Sequence, residues 1–195
     1  MSNFFSLSDG GSAVDTGTSY EAPSGDIAPI PDGSTVLAMI SGAKWESPRD
    51  DSTVSFVQLE WTILQPADYA NRKVWQKLWV NDLDPGAKDE GKAKKKRDNA
   101  KRMLAAIDAN CGGKLAKSVA ANPTGVPDDD DLAISLSNRP MVIKMKVWEI
   151  KDSAETKSGN WIVSVAPKSA EVSISDAAPK KAPSAKAPLD DGIPF

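Results

Sequence analysis

From Val54 to Leu64 the chain alternates strictly, with Val57, Leu59, Trp61 and Ile63 forming an apolar series and Phe56, Gln58, Glu60 and Thr62 a mixed one. A period of two sends successive side chains to opposite faces, so this stretch is a strand with one face on a core. Phe56 falls on the outward face. The same pattern runs through Arg72–Val80, where Val74, Gln76, Leu78 and Val80 oppose Lys73, Trp75, Lys77 and Trp79. It returns in Met141–Ile150, with Met141, Ile143, Met145 and Val147 opposed to Lys144, Lys146 and Trp148. Two further strands are expected at Thr35–Trp45, bounded by Pro31-Asp32-Gly33 and Ser47-Pro48, and at Asn160–Ala166, after a polar loop ending in Ser158-Gly159.

Between the third and fourth strands the period changes. Lys92–Asn110 places Ala100, Met103, Leu104 and Ile107 on one stripe and Lys94, Lys95, Arg97 and Lys101 off it, which is a helical pattern ended by Cys111-Gly112-Gly113. Lys114–Ala121 suggests a second, shorter helix, and Asn122–Asp131 a Pro- and Asp-rich loop. The resulting order, β-β-β-α-β-β, is that of the five-stranded Greek-key barrel known as the OB-fold. The expected class is therefore mainly β, with a helical insertion between strands 3 and 4 and disordered N- and C-terminal segments.

Composition sets the domain limits. Residues 1–31 are rich in Ser, Gly, Asp and Pro and lack Lys and Arg, and residues 172–187 are dominated by Ala, Pro, Lys and Ser. Neither can bury enough apolar surface to fold, so a flexible extension and a disordered linker are expected around a domain at 32–171, with an eight-residue tip at 188–195. The chain's formal net charge of −3 misrepresents that domain, because Ser34 to Glu171 hold 21 basic and 19 acidic residues and four of the acids are the run Asp128–Asp131. The remainder is basic. Four consecutive Asp cannot converge on one ion without a turn that supplies further oxygens, so the run reads as a solvated loop and no metal or cofactor is expected. The absence of His removes the commonest general base, which disfavours an enzyme. A single cysteine, Cys111, forbids an intramolecular disulfide, and no secretory signal or membrane-length apolar run is present, so a cytoplasmic location is expected.

Exposing a Trp on the polar face of a strand forfeits about 2 kcal/mol of burial. Trp75 and Trp79 interleaved with Lys73 and Lys77 therefore point to a ligand. Nucleic-acid bases stack on aromatic faces while cations neutralise phosphates, giving binding to single strands with little sequence preference. Phe56, Trp75, Trp79 and Trp148 are the expected stacking platforms, and Lys73, Lys77, Lys144 and Lys146 the expected electrostatic track. Trp61 belongs to the core, whereas Trp45 and Trp161 are not assigned. The run Lys92–Arg97 is either a phosphate-contacting arm or a solvated helix face. An oligosaccharide-binding barrel and a protein-binding adaptor are the competing readings, since Trp faces also stack on sugars.

The final residues, Pro188-Leu189-Asp190-Asp191-Gly192-Ile193-Pro194-Phe195, combine two carboxylates with a Pro-Phe ending, suited to a partner pocket with a basic rim. This stretch resembles the acidic C-terminal tip of bacterial single-stranded DNA-binding proteins, whose usual form is three Asp followed by Ile-Pro-Phe. Gly192 stands where the third Asp would, which bears on partner affinity more than on partner type. The N-terminal extension and the helical insertion make the whole chain look more like the divergent single-stranded DNA-binding proteins of tailed bacteriophages. The resemblance implies that Asp190, Asp191, Ile193, Pro194 and Phe195 recruit replication, recombination or repair proteins, including those of a bacterial host. Oligomeric state and self-association on DNA stay open.

Overall fold

The computed structural model describes residues 28–151 and 156–175. Apart from residues 28–31 and 172–175, the expected extension and linker lie outside these residues, as does the whole tip. Five strands form one antiparallel sheet: β1 (Thr35–Glu46), β2 (Phe56–Gln65), β3 (Lys73–Leu78), β4 (Pro140–Lys151) and β5 (Thr156–Ala166). Their spatial order is β3-β2-β1-β4-β5, so β1 is central and β3 and β5 are the edges. Three helices, α1 (Glu90–Cys111), α2 (Lys114–Ala121) and α3 (Asp129–Leu136), all lie between β3 and β4.

Alternation becomes packing as expected. Val57, Leu59, Trp61 and Ile63 of β2 are all fully buried and share one core with Met141, Ile143 and Met145 of β4. Gln76, the polar member of the inward face of β3, accepts a hydrogen bond from the Trp61 indole N–H at 3.1 Å. A buried indole thus keeps its partner. Register shifts in β1 at Leu37/Ala38 and Ile40/Gly42 let that strand bend while it pairs with β2 along one side and β4 along the other. The bending brings β3 and β5 into contact without a hydrogen-bonded ladder between them, and α1 packs against both. The sheet is therefore strongly curved and open along the β3–β5 seam.

The helical segment differs from expectation at its end. Asp128–Asp131 is the start of α3, not a loop: the Asp128 side chain accepts from the Asp131 N–H at 2.7 Å, and the Asp131 side chain returns to the Asp128 N–H. Carboxylates in a first helical turn meet unpaired N–H groups and the positive end of the helix dipole, which offsets their mutual repulsion. Asp129 also accepts from the Trp45 backbone N–H at 2.6 Å, and Asp131 from the Ser118 hydroxyl. The Trp45 indole donates to the Pro127 carbonyl at 2.8 Å, which makes this Trp a brace between β1 and the segment before α3.

In the middle of the insertion, α1 stops where Gly112 and Gly113 take φ of 104° and 68°, values that L side chains rarely adopt. The buried carboxylate of Asp108 then accepts from the Leu115 and Ala116 N–H groups, each at 2.9 Å, and so caps α2 from the preceding helix. Nearby Cys111 is buried; desolvation, and then the charge of Asp108, push its thiol up to about 11, against a smaller lowering by Arg139. It stays protonated at neutral pH.

Both flanks extend the folded body past the limits read from composition. Asn160 bonds both the N–H and the carbonyl of Ile30, at 2.7 and 2.8 Å, and Ile30 is buried. At the expected start itself Asp32 accepts from the Val147 N–H, and beyond the expected end Ser173 forms a bridge with Thr35. β5 also begins earlier than expected, so Ser158 and Gly159 are strand residues opposite Glu149 and Trp148. Among the described residues no helix is long and apolar enough to cross a membrane.

Candidate functional site

Strand phase places the expected platforms on the polar faces, but tertiary packing separates them into two groups. Trp75 is 58 % exposed and Trp148 39 %. Phe56 and Trp79 are 1 % and 7 % exposed, which corrects the expectation that both stand outward as stacking surfaces. Their rings pack together, with centroids 5.0 Å apart and planes inclined by 53°. The cause lies in the loop after β3: Asp82 accepts from the Ser55 N–H and hydroxyl at 2.8 and 2.9 Å, which draws that loop back to the beginning of β2. Lys77 sits over the Phe56 ring, 4.7 Å from its centroid, so the buried pair positions a cation.

Trp161, unassigned from the sequence, is 50 % exposed and belongs with Trp75 and Trp148. Two clefts join the three. One, of about 960 Å³, runs along the seam between β3 and β5 under α1, and Trp75 and Trp161 stand on its opposite strands. The other, of about 700 Å³, is lined by Trp75, Trp148, Arg72 and Lys73 beside Ala28–Ile30. Trp75 is common to both and links them into one track.

Charge is unevenly spread over this surface. The seam cleft is lined by five cations, Lys77, Lys92, Lys95, Lys96 and Arg102, and by no acidic residue among the described residues. Lys96 pairs with Asp84, tying α1 to the loop before it. Burial alone would raise the Asp84 carboxyl, but the Lys96 and Gly86 hydrogen bonds and the charges of Lys96 and Lys77 outweigh it and leave the group below its ordinary value. On the outer face of β1–β3, in contrast, Lys73 pairs with Glu60 at 2.6 Å and Lys44 with Glu46 at 2.7 Å. The Lys73 expected to contact phosphate is thus already partly neutralised. Lys144 and Lys146 are exposed on β4, opposite Ser164 and Trp161 of β5, and line neither cleft. The five residues expected to dock partners, Asp190, Asp191, Ile193, Pro194 and Phe195, lie outside the described residues.

Three contributors were readable only in part from the chain. Lys95 and Arg102 are seven residues apart and so share one face of α1, a spacing visible in the sequence once the helix is known. Trp161 precedes the inward Ile162, so strand phase alone would have turned it outward. Its place opposite Trp75 depends on the curvature of the sheet.

Gly159 sets the position of Trp148. The two are cross-strand partners, and a Cβ on Gly159 would lie 2.6 Å from Cζ2 of the Trp148 indole. One face of this ring therefore covers the glycine and the other is left free. Gly159→Ala should push the half-exposed indole outward, with little loss of stability because the ring can move into solvent. The check is acrylamide quenching of Trp fluorescence, which rises in Gly159→Ala relative to wild type but is the same in Trp148→Phe with and without Gly159→Ala.

A search with protein-family models finds no match to this chain, and none of the curated proteins matches it.

Proposed function

We propose that this protein binds single-stranded DNA with little sequence preference, stacking bases on Trp75, Trp148 and Trp161 while cations along the two clefts hold phosphates. The observation that carries this reading is the continuity of the track: three exposed indoles line two clefts that share Trp75, and the larger cleft has a wholly basic charged lining. Stacking is tolerant of sequence because every base has a π-face, and phosphate neutralisation supplies affinity. A neutral oligosaccharide would use the rings but gain nothing from five cations.

The strand order and the insertion between β3 and β4 support an OB-type barrel with an open seam as the scaffold. The likeness of the C-terminal residues to the bacterial tip, and of the chain's layout to phage single-stranded DNA-binding proteins, supports a role in coating unwound DNA in the bacterial cytoplasm. In that role Asp190, Asp191, Ile193, Pro194 and Phe195 recruit replication, recombination or repair enzymes.

Titration with oligo-dT while following Trp fluorescence, at low and high salt, tests the proposal. Strong quenching that weakens with salt is expected. No quenching at either salt would remove the reading and favour the adaptor, and quenching by a neutral oligosaccharide that hardly changes with salt would favour the sugar-binding reading.

A further inference from the structure

Resting on that reading, we infer that the strand does not lie across the outer face of the sheet but runs in the β3–β5 seam, with its phosphates on α1. The helical insertion is then a wall of the binding site, not an ornament of the barrel.

Charge complementarity decides between the two paths. The outer face of β1–β3 neutralises itself through Lys73–Glu60 and Lys44–Glu46, and a phosphate arriving there meets carboxylates as well as ammonium groups. The seam lining holds five cations and no carboxylate among the described residues, although two of them, Lys92 and Lys96, pair with Asp89 and Asp84, which do not line it. Of these, Lys95 and Arg102 have no ion-pair partner among the described residues, and their seven-residue spacing presents both from the same side of α1. The opposing walls supply Trp75 from β3 and Trp161 from β5. Those two strands share no ladder, so a nucleotide entering between them displaces no sheet hydrogen bonds.

The arrangement is also held in place before a ligand arrives. The Asp89 side chain caps the start of α1 by accepting from the Lys92 N–H at 2.7 Å, and the Lys96–Asp84 pair fixes the helix to its leading loop. Ala93, Ala100 and Ile107 bury the opposite side of α1. A duplex keeps its bases stacked within its own helix and cannot place them on Trp75 and Trp161, so the seam selects unpaired strands.

The experiment compares the full-length protein with Lys95→Ala/Arg102→Ala and with Lys114→Ala/Lys117→Ala, which removes the same charge from the exposed surface of α2. Oligo-dT affinity is measured over a series of salt concentrations, with circular-dichroism melting showing that all three are folded. Losing two phosphate contacts lowers the slope of log affinity against log salt by about 1.4 in the seam variant, while the α2 variant keeps the wild-type slope. An unchanged slope in the seam variant, or an equal fall in both variants, would overturn the seam path while leaving DNA binding intact. Failure of wild type to bind oligo-dT would instead remove the parent reading and this inference with it. Displacement of a seam-bound fluorophore by a Pro188–Phe195 peptide but not by oligo-dT would assign the seam to an acidic protein segment.

Discussion

Trp75→Ala loses roughly five- to a hundredfold in affinity for oligo-dT at fixed salt, the largest effect of any single platform. The magnitude follows from the 1 to 3 kcal/mol that removal of one stacking ring costs, at about 1.4 kcal/mol per tenfold. Trp75 heads the order because it lines both clefts and has the most exposed ring of the three, whereas Trp148 spends one face on Gly159. Being exposed, it contributes little to the core, so the melting temperature should hardly move. Phe56→Ala should show the reverse pattern: a buried ring against Trp79 is removed, stability falls by about 3 kcal/mol, and stacking is not directly touched. Anisotropy of a labelled oligonucleotide and thermal melting, run on both variants, separate the two roles. An intact Trp75→Ala protein that binds as tightly as wild type would move the site away from these clefts.

Asp108→Ala should destabilise the fold by about 2 to 3 kcal/mol, since it leaves two N–H groups at the start of α2 without their acceptor, one of them buried. Asp108→Asn should rescue little, because its amide offers one oxygen acceptor and turns a donor toward the second N–H. The urea midpoint is the measurement, with exposed Asp50→Ala as a comparison that changes it little. Asp108 lies one turn before Cys111 and joins α1 to α2, so the same substitution loosens the helical unit that forms the wall of the seam cleft. A midpoint within error of wild type would mean that water replaces the carboxylate at no cost.

Periodicity carried much of this architecture. The inward faces of β2 and β3 were legible residue by residue, down to Gln76, whose polar side chain on an apolar face finds its reason in the Trp61 indole, and that of β4 as far as Met145, beyond which Val147 is only half-buried. The limits of α1 were legible too, because Gly112 and Gly113 provide a backbone that ends a helix. Trp75 and Trp148 stood out as large rings on polar faces and are exposed. Less legible was the Asp128–Asp131 run, in which repulsion between neighbours suggested a loop. The unpaired N–H groups of a helix start, and donors from Trp45 and Ser118 far away in sequence, outweigh that repulsion.

What the chain determined by itself was therefore local: which residues share a face, where the backbone turns, and that rings and cations alternate. These follow from a two- or 3.6-residue repeat acting over neighbouring residues. Which of the outward rings remain outward was decided only by tertiary structure. Asp82 reaches back 27 residues to Ser55 and the loop it anchors leaves Phe56 and Trp79 packed against each other, while the bend of β1 brings Trp161 across from Trp75. Contacts of that range have no period in the sequence, since they depend on how far a sheet curves and where a loop closes.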